Sequence, residues 1–156
     1  MLQVPVVHGP SWDICSVLVD YSTPWVVRTH RALDTAYESS AFFEYYRDGL
    51  YAILDSNPET LWSLNRQLIR WCLDRLHLSC DLSSTASFAI PGTVADDYRY
   101  LITPKQPDTV LQDLGLARPY YQVFRDRMGG FTPGLSILDL LFNEGPDAAS
   151  WLAPGA

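Results

Sequence analysis

Three side chains open the question of chemistry: His30, Asp34 and Tyr37, spaced i, i+4, i+7, share one face of any helix that carries them. A carboxylate one turn from an imidazole can orient it for general acid–base work. The alternative is a surface pair with a tyrosine packed beneath. No nucleophile stands ready beside them. There is no GxSxG, and neither Cys15, Cys72 nor Cys80 lies in a recognisable catalytic context. His8, His30 and His77 are scattered, without HExxH or a Cys/His cluster, so no metal site is expected. Gly129-Gly130 is a lone glycine pair, which suits a turn better than a phosphate loop.

A denser group lies in residues 120–143. Tyr121, Gln122, Arg125 and Arg127 precede the glycine pair, and Ser136, Asp139 and Asn143 form a polar stripe on an otherwise apolar helix. Buried polar groups cost free energy unless they are paired, so such a stripe needs partners. Ser136 followed by Asp139 has the form of a capping box, with Asp139 reaching back to the helix start. Capping with loop-tethering, and a ligand site, are both open readings.

The elements that must hold these residues follow from periodicity and punctuation. Leu2 to Val7 is β-prone, with Pro5 restricting it to an edge or a strand end, and Ile14 to Val19 is a second strand candidate. A helix begins at Pro24, capped by Thr23, and runs to about Tyr37; a second covers Ala41 to Leu54, weakened at Gly49. The third, Glu59 to Leu76, carries the broadest apolar stripe, with Asn57 or Ser56 as cap and Pro58 in its first turn. Leu64, Leu68, Ile69, Cys72 and Leu73 are its expected buried side. A short strand is expected near Ser87 to Ile90, a short helix over Thr109 to Leu116 closed by Gly115, and a last helix over Ser136 to Asn143, stopping at Gly145-Pro146. The expected fold is α+β, a small β-sheet near the N-terminus packed on a mainly helical cluster, in one domain over residues 1–156.

Composition narrows the function classes. With 47% apolar and 19% charged residues the chain is globular rather than disordered. A net charge of −7 argues against a nucleic-acid partner; its longest basic cluster, Arg66, Arg70 and Arg75, reads as a solvated helix face. Three cysteines without CxxC spacing point to a reducing compartment, and the first residues lack a secretory signal. No apolar run approaches the ~18 residues of a transmembrane segment. The expected location is cytoplasmic.

Three stretches carry a resemblance. WVVRTHRALDTAYESSAFFEYYRD (Trp25 to Asp48), YRYLITPK (Tyr98 to Lys105) and above all YQVFRDRMGGFTPGLSILDLLFNEGP (Tyr121 to Pro146) resemble motifs of the WbqC-like protein family, in the family's order. The resemblance is to the C-terminal part of the family, and it implies that a leading segment with an aromatic-Pro motif is absent here. It implies a bacterial, cytoplasmic protein of polysaccharide (O-antigen-type) or related biosynthesis, a transferase acting on an activated sugar or acyl donor. Carried over by position, the residues it nominates are His30, Arg31, Tyr37, Phe42, Phe43, Arg99, Lys105, Gln122, Asp139 and Asn143. It names no cofactor.

On the enzymatic reading His30 is the acid/base, Asp34 its orienter, with Tyr37 and Asp139 beside them, while Arg99 and Lys105 contact phosphate. Arg31, Phe42, Phe43, Gln122 and Asn143 would then bind substrate. His30, Asp34, Tyr37, Arg99, Gln122, Asp139 and Asn143 should converge on one cleft. The alternative is a shortened, non-catalytic protein that binds a partner, or a second copy of itself, through the open edge of Leu2 to Val7. A third reading is a structural remnant without activity.

Overall fold

This computed structural model describes residues 2–7, 9, 11, 13–85, 87–99, 110–116 and 118–152. The sheet is small. Strand β1 (Val6–Val7) pairs antiparallel with β2 (Leu18–Val19), Val6 opposite Val19 and Val7 opposite Leu18. Its expected start at Leu2 shrinks to two residues because Pro5 has no N–H to give; its carbonyl instead accepts from Asp20 N at 2.9 Å. Ile14–Ser16 is a turn of 3-10 helix rather than strand, since the Asp13 carboxylate accepts the Cys15 amide at 3.1 Å and draws the backbone round. The far edge of β2 is also used. Val19 N donates to Glu59 O and Leu61 N to Val17 O, each at 2.9 Å.

That use of residues 59–61 sets where the long helix starts. Helix α1 spans Trp25–Tyr37, α2 Phe43–Asp55 and α3 Leu61–Arg75. Thr60 is extended and caps α3, its hydroxyl accepting Ser63 N at 3.1 Å. Asn57, Ser56 and Pro58 therefore do not serve as its cap and first turn; Asn57 turns the chain instead, at φ +50°. At α1 Thr23 contributes only its carbonyl, to Trp25 N, while Pro24 holds the cap position.

Two apolar clusters make the core. One gathers Leu33, Phe43, Tyr46, Leu50 and Trp71 against Leu140, Leu141 and Phe142; the other joins Val19, Trp25, Leu54 and Leu64. Ile53 and Leu68 pack against both and fuse them. On α3 the inward row is Leu64, Leu68, Trp71, spaced i, i+4, i+7. The expected row was one notch off: Leu64 is buried and Leu68, Cys72 and Leu73 half-buried, but Ile69 is 49% exposed.

Helix α4 (Val110–Asp113) is a single turn closed by Gly115 at φ +68°. Residues 87–90 form no strand. Helix α5 (Ile137–Glu144) ends at Gly145, which leads through a 3-10 turn, Gly145–Asp147, into α6 (Ala148–Trp151). Gly145 stands at φ +57°, and a Cβ there would lie 2.5 Å from the Phe42 ring. Only glycine lets α5 turn against the start of α2.

Candidate functional site

Helix α5 is buried from Asp139 to Asn143, and two polar side chains are buried with it, Asp139 at 5% and Asn143 at 6% exposure. Ser136 caps this helix as expected, its hydroxyl accepting Leu138 N at 3.3 Å. Asp139 does not reach back to the start. Its carboxylate instead accepts the Tyr120 hydroxyl at 2.6 Å and Gln122 Nε2 at 3.2 Å. An ionised acceptor draws shorter, stronger bonds than a neutral one, so these donors outcompete the capping geometry.

Gln122 is 4% exposed and fully spent. Besides Asp139, its amide donates to Thr132 O at 2.9 Å and accepts Thr132 N at 2.8 Å, which fastens the Gly129-Gly130 loop to α5. Asn143 donates to the Asp139 carbonyl at 2.8 Å, whereas its own side-chain oxygen has no hydrogen-bond partner among the described residues. Tyr37 completes the group from α1. Its ring meets Phe142 edge-on at 5.0 Å, and burial first, with the nearby Asp139 carboxylate second, pushes its phenol well above the ordinary value. Tyr120 is pushed up by burial first and by its bond to Asp139 second. Both phenols thus keep their protons at neutral pH, and Tyr120 donates its own to Asp139.

Tyr120 also faces a cavity of about 230 Å³, whose floor and walls include Ile137 and Leu140 of α5 and Trp151 of α6. Arg118 lines the same cavity, its guanidinium 5.3 Å from the Trp151 ring and bonded to Ser150 O. Network and cavity share Tyr120, so a molecule in the cavity would meet a tyrosine whose hydroxyl is fixed by a buried carboxylate.

The remaining candidates from the sequence fall elsewhere. Asp34 does not orient His30: its carboxylate accepts the Tyr51 hydroxyl at 2.8 Å, and the same hydroxyl reaches His30 O at 3.0 Å. The His30 ring stacks on Tyr51 at 3.8 Å, with Nε2 3.6 Å from Asp55. These bonds tie α1 to α2. Burial, then the bond to Asp34, raises the Tyr51 phenol. Arg31 is exposed on α1. Arg99 engages Asp97 through two bonds, at 2.7 and 2.5 Å, and lies over the Phe88 ring. Phe43 is core, and Phe42 packs on Gly145. Lys105 lies outside the described residues.

Of the seven residues expected in one cleft, Tyr37, Gln122, Asp139 and Asn143 are brought together, while His30 with Asp34, and Arg99, sit in local clusters of their own. Tyr120, Arg118 and Trp151 were not anticipated. Tyr120, two residues before Gln122, was the available signal: in extended chain both side chains point the same way. Among the described residues no group of His, Cys, Asp and Glu could hold a metal ion, and no helix is long and apolar enough to cross a membrane.

A mainly helical α+β protein, with a tyrosine–aspartate–glutamine network beside an apolar cavity, is the class that fold and site define. The chain belongs to the WbqC-like protein family, whose model matches residues 1–103. It is also 27% identical over 159 residues to the uncharacterized protein Rv1507c of Mycobacterium tuberculosis (strain ATCC 25618 / H37Rv), an alignment covering 89% of this chain and 68% of the relative. No solved structure matches. The family match begins at residue 1, so the expectation that this chain is only the C-terminal part of the family, with its leading segment absent, is not borne out. β1, its partner β2, and Thr60, which bridges the other edge of β2, all lie within the matched residues. The stretch Trp25 to Asp48 lies inside the match, and Tyr121 to Pro146 lies beyond it.

Proposed function

We propose that this protein acts as a transferase on an activated sugar or acyl donor in bacterial polysaccharide or related biosynthesis, in the cytoplasm, with the donor held in the cavity beside Tyr120. The observation that carries this reading is Tyr120, which lines the cavity and donates its hydroxyl at 2.6 Å to the buried Asp139 carboxylate behind it. Fixed polar groups beside a concave apolar space are the usual composition of a small-molecule site. Tyr120 is the group placed to touch the ligand; Asp139, Tyr37, Gln122 and Asn143 hold it. Family membership supports the biosynthetic setting.

A thermal-shift screen with nucleotide sugars and acyl thioesters tests the reading. A donor that binds only the folded chain at about 100 times its Kd adds roughly 2.7 kcal/mol of stability and a clear rise in Tm. Tyr120→Phe should shrink that rise while the protein remains folded. If no nucleotide sugar and no acyl thioester moves the Tm, the proposal fails.

A further inference from the structure

The cavity's lining discriminates between the two donor classes. Leu111, Leu116, Phe131, Ile137, Leu140 and Trp151 make it overwhelmingly apolar. Few polar atoms in it are open to new bonds. The Tyr120 hydroxyl already gives its proton to Asp139 at 2.6 Å and can only accept, while the Ser136 hydroxyl, accepting Leu138 N, has one proton left to give. A sugar ring placed here would lose water from several hydroxyls and find few partners, which is unfavourable. An aliphatic chain loses nothing comparable. At about 230 Å³ the space is also smaller than the roughly 300–1,000 Å³ of most ligand pockets, so it suits a short chain rather than a whole donor.

We infer that the cavity binds a short aliphatic acyl chain, with Arg118 beside the oxygen-bearing end. The inference rests on the proposed function and selects the acyl donor from it. Arg118 is held in place by the Ser150 carbonyl and the Trp151 ring. What it contributes is a fixed positive charge on the wall of an apolar space, in a chain whose net charge is −7. Charge there selects a carboxylate or an acyl oxygen over a neutral end of equal length.

Calorimetric titration of the full chain with butyrate, hexanoate, octanoate and dodecanoate, with octanol as the neutral control, tests this. Affinity should rise about fourfold per added methylene until the cavity is full, and then level off. Octanoate should bind more tightly than octanol, and Arg118→Gln should weaken octanoate about tenfold while leaving octanol unchanged. Ile137→Trp, which fills the cavity, should abolish binding; the chain-length series on the unaltered protein decides the matter even if that variant does not fold. No saturable heat with any carboxylate, no dependence on chain length, or octanol equal to octanoate would overturn the inference. Parallel titrations with nucleotide sugars separate it from the broader reading. Sugars binding without carboxylates end this inference alone, carboxylates binding with or without sugars support it, and neither binding ends this inference, the broader reading falling with it only if acyl thioesters also leave the Tm unmoved.

Discussion

Asp139 shows how one side chain can satisfy a local rule in sequence and serve a distant one in structure. Ser136 behaves as its spacing predicts, because a cap needs only the next two or three amides. Asp139 stands where a capping box would place it, yet its partners Tyr120 and Gln122 lie 19 and 17 residues earlier in the chain. No spacing rule reaches that far, so the polar stripe was legible and its partners were not. The tyrosines make this network sensitive to alkali. Tyr37, Tyr51 and Tyr120 all have phenols raised in the fold, above the ~10 of an unfolded chain. Between those values the folded chain holds protons that the unfolded chain has released. Their contribution is therefore fully present below about pH 10 and is lost as pH rises through the folded values. Urea denaturation at stepped alkaline pH should show stability falling in that range, with a shallower fall in Tyr120→Phe. At neutral pH that variant should cost about 1.5–3 kcal/mol, the worth of a hydrogen bond to a charged group. Equal alkaline slopes for the two proteins would show that Tyr120 is not among the groups responsible.

At the scale of elements, helix existence was plain from sequence, whereas which face turns inward was not. The three long helices appear within two residues of their expected bounds, because apolar period and breakers are local. The inner face of α3 depends on what α2 offers it. Gly49 leaves a gap in α2, and Trp71 fills it; a Cβ at Gly49 would come 2.8 Å from Trp71 Nε1. Placing Trp71 inward rotates Ile69 outward. Two measurements follow from that packing. Gly49→Ala should destabilise by about 1–3 kcal/mol through overpacking, although propensity alone would favour alanine by about 1 kcal/mol. A gain in urea midpoint would mean that the indole moves aside freely. Leu64, at 1% exposure, should cost about 2–5 kcal/mol on truncation to alanine. Ile69→Ala should stay within about 0.5 kcal/mol, as surface changes do. Similar losses for both would contradict the rotation of α3 seen here.

For the molecule as a whole, the sheet raises the question of what lies beyond β1. Strand β2 is paired on both sides, by β1 on one and by residues 59–61 on the other. β1 pairs only with β2 in a sheet of two strands, as far as the described residues go, and Leu2, Val4 and Val7 around it are between 37% and 51% exposed. Open edges are normally covered, charged or kept short. Here Pro5 and the two-residue length blunt the edge, but residues 2–7 carry no charge. Pairing of β1 with the same strand of a second copy, across a two-fold axis, would cover the edge and the exposed aliphatic side chains together. The expected outcome is a homodimer whose light-scattering mass falls toward that of the 17.6 kDa chain on dilution. Val7→Lys should shift the equilibrium to monomer, since Val7 is already 51% exposed and its loss should leave the core unchanged. Circular dichroism on the same samples separates dissociation from unfolding. A monomeric mass for the unaltered chain at high concentration would rule out self-pairing, and a dimer indifferent to Val7→Lys would place the interface on another face.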